Sequence, residues 1–138
     1  MVVKLTAKQV VENWRYIKKA FEDNPHLIDK DVMDMFFSGM MNDKIQTWFS
    51  MDGDKPKGFL TTYIMKHDMG VRNVLVVGTA VSYDMGDEDW EKMFLALKEF
   101  ASKSNCSHML AFTESEALFK RVHKFSKPKV QVALTWEV

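Results

Sequence analysis

The sequence predicts an α+β domain built on a mixed sheet of about six strands. An antiparallel meander comes first and a parallel strand–helix–strand unit follows, with two helices ahead of the sheet and two later. Three observations carry this. Residues 74–83 form a nearly unbroken apolar and β-branched run, the pattern of a central strand covered on both faces. Residues 87–104 place Trp90, Met93, Phe94, Leu97, Phe100 and Ala101 at spacings of three and four, which gives a helix one apolar face. After a polar break at 102–105, residues 107–113 return as a second apolar strand. Two strands joined by a helix of this length run parallel, with a right-handed crossover.

The other elements follow in chain order. Thr6 and Gln9 form a capping box, and Val10, Trp14, Ile17 and Phe21 make the stripe of one helix that ends near Asn24 and Pro25. Asp31 is expected to cap a second helix carrying Phe36, Phe37, Met40 and Met41 on one face. Residues 45–51, 58–66 and 72–83 read as three strands in series. Between the first two, residues 52–56 have hairpin chemistry, and 67–70 make the next turn. Ser115 caps a short helix with Leu118, Val122 and Phe125 inward. Residues 130–138 alternate as a last strand, with Val130, Val132, Leu134 and Trp136 on one face.

Bulk composition bounds the function. A length of 138 residues suits one domain, residues 1–138, and 46% hydrophobic content suffices for a core without disulfides or metals. Nineteen basic and nineteen acidic residues cancel, so no global field draws the chain to nucleic acid or to a membrane. The single Cys106 excludes an intrachain disulfide and fits a reducing, cytoplasmic setting. No signal-peptide core, transmembrane run, CxxC or HExxH is present. Eleven methionines fill a core or furnish an adaptable contact surface.

The element order resembles the GNAT family of N-acetyltransferases, with its first strand reduced to residues 1–5 or lost. The resemblance covers nearly the whole chain and is most specific over residues 74–125. There the last helix reads Glu116, Ala117, Leu118, Phe119, Lys120, Arg121, Val122, His123, Lys124, Phe125. The family typically has a small residue, Leu, Tyr, basic residues and then Gly-Phe at those places. Small bacteriophage-encoded GNAT-like proteins look similar in length and in this C-terminal pattern.

The resemblance implies acetyl-CoA, with its pyrophosphate on a turn like Arg-x-x-Gly-x-Gly. Such a turn works because glycines let the backbone approach and bare N–H groups at a helix start bind phosphate oxygens. The positional equivalents here are Val81, Gly86 and Asp87, and only Gly86 fits. Asp84, Asp87, Glu88 and Asp89 fill the turn, and no basic residue appears before Lys92. A carboxylate roughly 6–8 Å from a phosphate charge costs about 0.5–3 kcal/mol. Asp87 as N-cap would also occupy the N–H groups that a phosphate needs. The family's proton-donating Tyr corresponds to Phe119, which has no proton to give, and its glycine corresponds to Lys124.

These losses lead to a first expectation. It is a GNAT-fold protein without acyl transfer or cofactor that binds another protein, of phage accessory, virion-associated or host-factor-binding type. Two alternatives stand beside it. One is a divergent acetyl-CoA-dependent N-acyltransferase with Ser82 and Tyr83 as catalytic groups. The other is an assembly subunit, with Phe36, Phe37, Met40 and Met41 as the partner surface. Cys106, the His67–Asp68 pair, His108, His123 and the basic stretch 120–129 read as structural or solvated. An open V between strands 74–83 and 107–113, with free N–H groups at 86–88, would favour the enzyme. A filled crevice and a capped helix would favour the binder.

Overall fold

The computed structural model describes residues 1–26, 28–66, 73–113, 115–130 and 134–138. The elements are β1 (Val2–Lys4), α1 (Ala7–Glu12), α2 (Trp14–Asp23), α3 (Met33–Met41), β2 (Gln46–Asp52), β3 (Lys55–Met65), β4 (Asn73–Ser82), α4 (Asp87–Lys103), β5 (Cys106–Ala111) and α5 (Glu116–Val122). The strands form one sheet in chain order, β1-β2-β3-β4-β5. The first three pairings are antiparallel and β4–β5 is parallel. The expected meander and strand–helix–strand unit are both present.

Strand alternation sorts the apolar side chains to two cores. Phe49, Phe59 and Val81 turn to one face, where Val10, Ile17, Ala20, Phe21 and Met40 of α1–α3 bury them. Trp48, Leu60 and Leu75 turn to the other, under Met93, Leu97 and Ala101 of α4. The β2–β3 hairpin closes where Asp52 faces Lys55, with Gly53 at φ +58°, a left-handed conformation that glycine adopts without strain.

Several expectations are corrected. The N-terminal helix is two helices, because the Asn13 side-chain amide donates to the Gln9 carbonyl at 2.8 Å and its backbone leaves helical geometry. The stripe nevertheless runs on through the break, from Val10 to Ile17 and Phe21. The Thr6–Gln9 capping box forms as read, with both hydrogen bonds made. Asp31 lies inside a 3-10 turn, Lys30–Val32, and α3 starts without a side-chain cap. The sheet has five strands rather than six among the described residues. Residues 126–130 and 134–138 form no strand, and Leu134 and Trp136 are exposed. Alternation states which face a strand would bury once paired, and it supplies no partner edge. Residues 131–133, including Val132, and the turn at 67–70 lie outside the described residues. Among those described, no helix is long and apolar enough to cross a membrane.

Candidate functional site

The site begins with a bulge in β4. Leu60 faces Ala80 and Thr62 faces Val77, so Thr61 alone opposes two residues, Gly78 and Thr79. Thr61 Oγ1 accepts the Thr79 N–H at 3.1 Å and lies 3.0 Å from Thr79 Oγ1. A Cβ on Gly78 would lie 2.8 Å from that same oxygen, so the close approach requires glycine. A bulge bends its strand and raises the local twist. Parallel pairing with β5 ends just before it, at Val77 and Ala111. Residues 78–82 keep β3 on one edge and, among the described residues, have no strand on the other. Val81 is anchored in the α1–α3 core and Ala80 packs against the α4 side. The side chains are held while one main-chain edge stays open.

The turn after β4 is fixed from β3. The Tyr83 and Asp84 N–H groups both donate to the Lys57 carbonyl, at 3.0 and 3.1 Å. Met85 is buried beneath it, and its N–H reaches Ser82 Oγ at 3.3 Å. The N-cap of α4 is Gly86, which has no side chain to bond the first-turn N–H groups. Asp89 closes only half of a capping box, accepting the Gly86 N–H at 3.0 Å. The expectation of Asp87 as N-cap is therefore corrected.

Asp87 is the first helical residue and turns to α5. Its two oxygens take Arg121 Nε and Lys124 Nζ, both at 3.0 Å. Arg121 Nη1 also donates to the Met85 carbonyl at 3.3 Å, which pins α5 to the turn. Asp89 pairs with Lys57 at 2.8 Å, and Glu88 with Lys92 at 3.0 Å. The Lys124 hydrogen bond, helped by Arg121, holds the Asp87 carboxyl below its ordinary range. The Lys57 hydrogen bond, then the Gly86 N–H, does the same for Asp89. The Asp89 hydrogen bond raises Lys57 in return. Asp87 and Asp89 thus take cations that the sequence keeps far away, whereas Glu88 takes one four residues on. Lys57, Arg121 and Lys124 are the site residues that sequence reasoning missed. The one signal was the sign opposition between the turn and the basic stretch from Lys120.

Ser82 and Tyr83 do not converge. Ser82 serves the turn, whereas Tyr83 packs edge-on against Tyr16 of α2, ring centroids 6.1 Å apart. Those two tyrosines, with Lys19, Asp23, Lys55 and Pro56, line a cleft of about 300 Å³. The Tyr16 hydroxyl is buried and, among the described residues, has no hydrogen-bond partner. Burial pushes both phenols up, with Tyr83 adding to Tyr16 and Asp23 adding to Tyr83. Phe119 is exposed on α5 against His123. Of the four residues expected at a partner surface, Met40 is buried, Phe36 and Met41 pack on the core, and Phe37 meets Trp14 edge-on at 4.7 Å. Burial raises the Cys106 thiol, which disfavours a nucleophilic thiolate. His108 bonds Ser107, and His123 Nδ1 lies 2.8 Å from the Phe119 carbonyl oxygen. His67 and Asp68 lie outside the described residues.

No protein-family model and no curated protein matches the sequence. Solved structures do match, end to end. An aminoglycoside acetyltransferase from an uncultured soil metagenomic sample, in complex with sisomicin, superposes with TM-score 0.80 at 10% identity, covering 100% of this chain and 95% of the other. A predicted acetyltransferase with acetyl-CoA from Clostridium acetobutylicum gives 0.73 at 11%, covering 99% and 95%. A ribosomal-protein-alanine N-acetyltransferase from Brucella melitensis biovar Abortus gives 0.72 at 10%, covering 100% and 99%. At this identity the likeness establishes the GNAT fold. The expectation of a non-catalytic binding protein is corrected, because the proteins matched over their whole length are acetyltransferases, which favours the acyltransferase alternative. The expectation of no cofactor loses its support with it. These likenesses do not show the expected resemblance to bacteriophage-encoded proteins.

Proposed function

We propose that the chain is an acyl-CoA-dependent N-acyltransferase. The observation that carries this reading is the main-chain edge of residues 78–82, which no described strand pairs and which follows the Gly78–Thr79 bulge beside the end of β5. An extended amide chain such as pantetheine needs alternating donors and acceptors, and an open strand edge offers them. A pyrophosphate needs N–H groups free of a side-chain cap, and Gly86 leaves those of the first turn uncapped. A Cβ at Gly86 would meet only Asp89 Oδ2, at 3.9 Å, so the approach is roomy. The donor set therefore fits the group.

Bound acyl-CoA would supply an activated thioester carbonyl to an amine. The chain's own part is positional and electrostatic. Main-chain N–H groups of the β4 edge would orient the thioester and hold the negative charge that develops on its oxygen. Ser82 Oγ, at the end of that edge, is the hydroxyl through which a water can relay the proton lost by the amine. Tyr83 keeps its proton at neutral pH, since its phenol is pushed upward, and so would serve as a donor rather than a base. Phe119 takes no part in proton transfer.

Calorimetric titration with acetyl-CoA at low salt tests the reading. Binding at micromolar strength is expected, followed by acetylation of amine acceptors that a Ser82→Ala and Tyr83→Phe series slows. No heat up to millimolar ligand would overturn it.

A further inference from the structure

The carboxylates at the start of α4 are held by cations in two different ways. Lys57 and Asp89 are sheltered, their side chains 22% and 18% exposed. That pair also fixes the Gly86 N–H, so it belongs to the turn itself. Asp87, Arg121 and Lys124 are 52%, 38% and 62% exposed, and Asp87 bonds no main-chain group in the turn. Exposed ion pairs are weakly held and exchange readily.

Arg121 in the last turn of α5 and Lys124 in the turn just after it converge on a single anion. The Met85 carbonyl holds Arg121 independently of Asp87. Arg121 therefore keeps an anchor when its carboxylate leaves, and Lys124 is released with it. We propose that Asp87 is a built-in anion that occupies two phosphate-binding cations at the end of α5 and in the turn after it, so that a diphosphate ligand enters by displacing it from Arg121 and Lys124. Arg121 then meets phosphate oxygens with its planar fork, and Lys124 adds a point charge. The expelled carboxylate stays on the first turn of α4, where the helix dipole accommodates it. Asp87 sets a threshold: weak anions leave the clasp closed, and only a ligand with several charged oxygens opens it. The identity of the ligand as acyl-CoA rests on the reading above, but the exchange does not.

Inorganic pyrophosphate is the direct probe, titrated calorimetrically at low salt into the full chain. Asp87→Asn should bind it about tenfold more tightly than the parent, the scale of one charge-assisted hydrogen bond released to the ligand. Arg121→Gln in the Asp87→Asn background should remove that gain. Circular dichroism checks the fold, with Asp87→Ser as the second variant should the asparagine chain misfold. Unchanged or weaker pyrophosphate binding by both variants would overturn the proposal. Acetyl-CoA and S-acetylpantetheine separate the two readings. A gain for pyrophosphate with no binding of either thioester keeps the exchange and sinks the acyl-CoA reading. Binding of both thioesters with no Asp87 effect on acetyl-CoA does the reverse.

Discussion

Along β4, residues 74–77 are paired on both edges, while residues 78–82, among the described residues, have a strand on one edge only. Val74, Leu75 and Val76 in the first half are all buried. In the second half the side chains of Ala80 and Val81 still reach the two cores, yet Gly78 and Ser82 are exposed. Composition marks the change only as smaller side chains, Gly78, Thr79, Ala80 and Ser82 around Val81, and does not say where pairing ends. The separation comes from one extra residue opposite Thr61, which turns a core strand into an open edge within the space of a bulge. The starts of α1 and α4 differ in the same way. Thr6 and Gln9 close the start of α1 from both sides, whereas Gly86 leaves α4 with half a box. Stability and recognition are thus divided within single elements.

The largest expected effect tests the doubly paired half. Leu75→Ala removes a side chain that is 0% exposed, and should lower unfolding free energy by about 2–5 kcal/mol in urea titrations. A loss well under that would mean this half is no more structural than the other. Next comes the bulge. Gly78→Val forces a side chain against Thr61 and should cost about 1–3 kcal/mol. It should also abolish acetyl-CoA binding, because relief of the clash moves the edge. Stability loss with intact binding would detach the bulge from the site. Smaller still is Gly86→Ser, which completes the missing cap. Stability should rise by a few tenths of a kcal/mol, roughly the margin of a serine over a glycine N-cap. Acetyl-CoA affinity should fall, since the new hydroxyl takes the N–H groups the ligand needs. A tighter complex would show that those N–H groups are not used.

Most of the fold was legible because its signals are local. The run at 74–83, the spacing of Met93, Leu97 and Ala101, and the Thr6–Gln9 box each depend on neighbours within a turn or two. The site was legible only in outline. Periodicity cannot show that Thr61 would meet two residues of β4, so the bulge that opens the slot was invisible. The acidic turn was weighed as bare charge, and that led to a binder without cofactor. Lys57 from β3, Arg121 from α5 and Lys124 from the turn after it change the sum, and their arrival is tertiary. Asp87 looked like an N-cap because Asp is good at capping, but Gly86 occupies the extended position before the helix and Asp87 is already inside it. The strand expected at 130–138 failed for a related reason. Its alternation is real, but the described parts find no edge to pair with.

The smallest expected effect concerns pH and separates the sheltered ion pair from the exposed one. Asp89 has its carboxyl lowered below the ordinary value of 3.8 by Lys57 and by the Gly86 N–H. A group depressed on folding stabilises the native state above its unfolded value, and loses that contribution as pH falls through the folded one. Stability should therefore hold from neutrality down to about pH 4 and then decline. Lys57 is raised, so its share lies below its unfolded value of 10.5 and fades only as alkaline pH passes above it. Asp89→Asn should lower the plateau and flatten the acid limb, read from urea midpoints across that range. Asp87→Asn should leave the plateau nearly unchanged, because its partners are exposed and screened. If instead Asp87→Asn lowers stability as much as Asp89→Asn, the Asp87 clasp is a structural tie like its neighbour, and its exchange for a ligand anion would carry the same penalty as unfastening the turn.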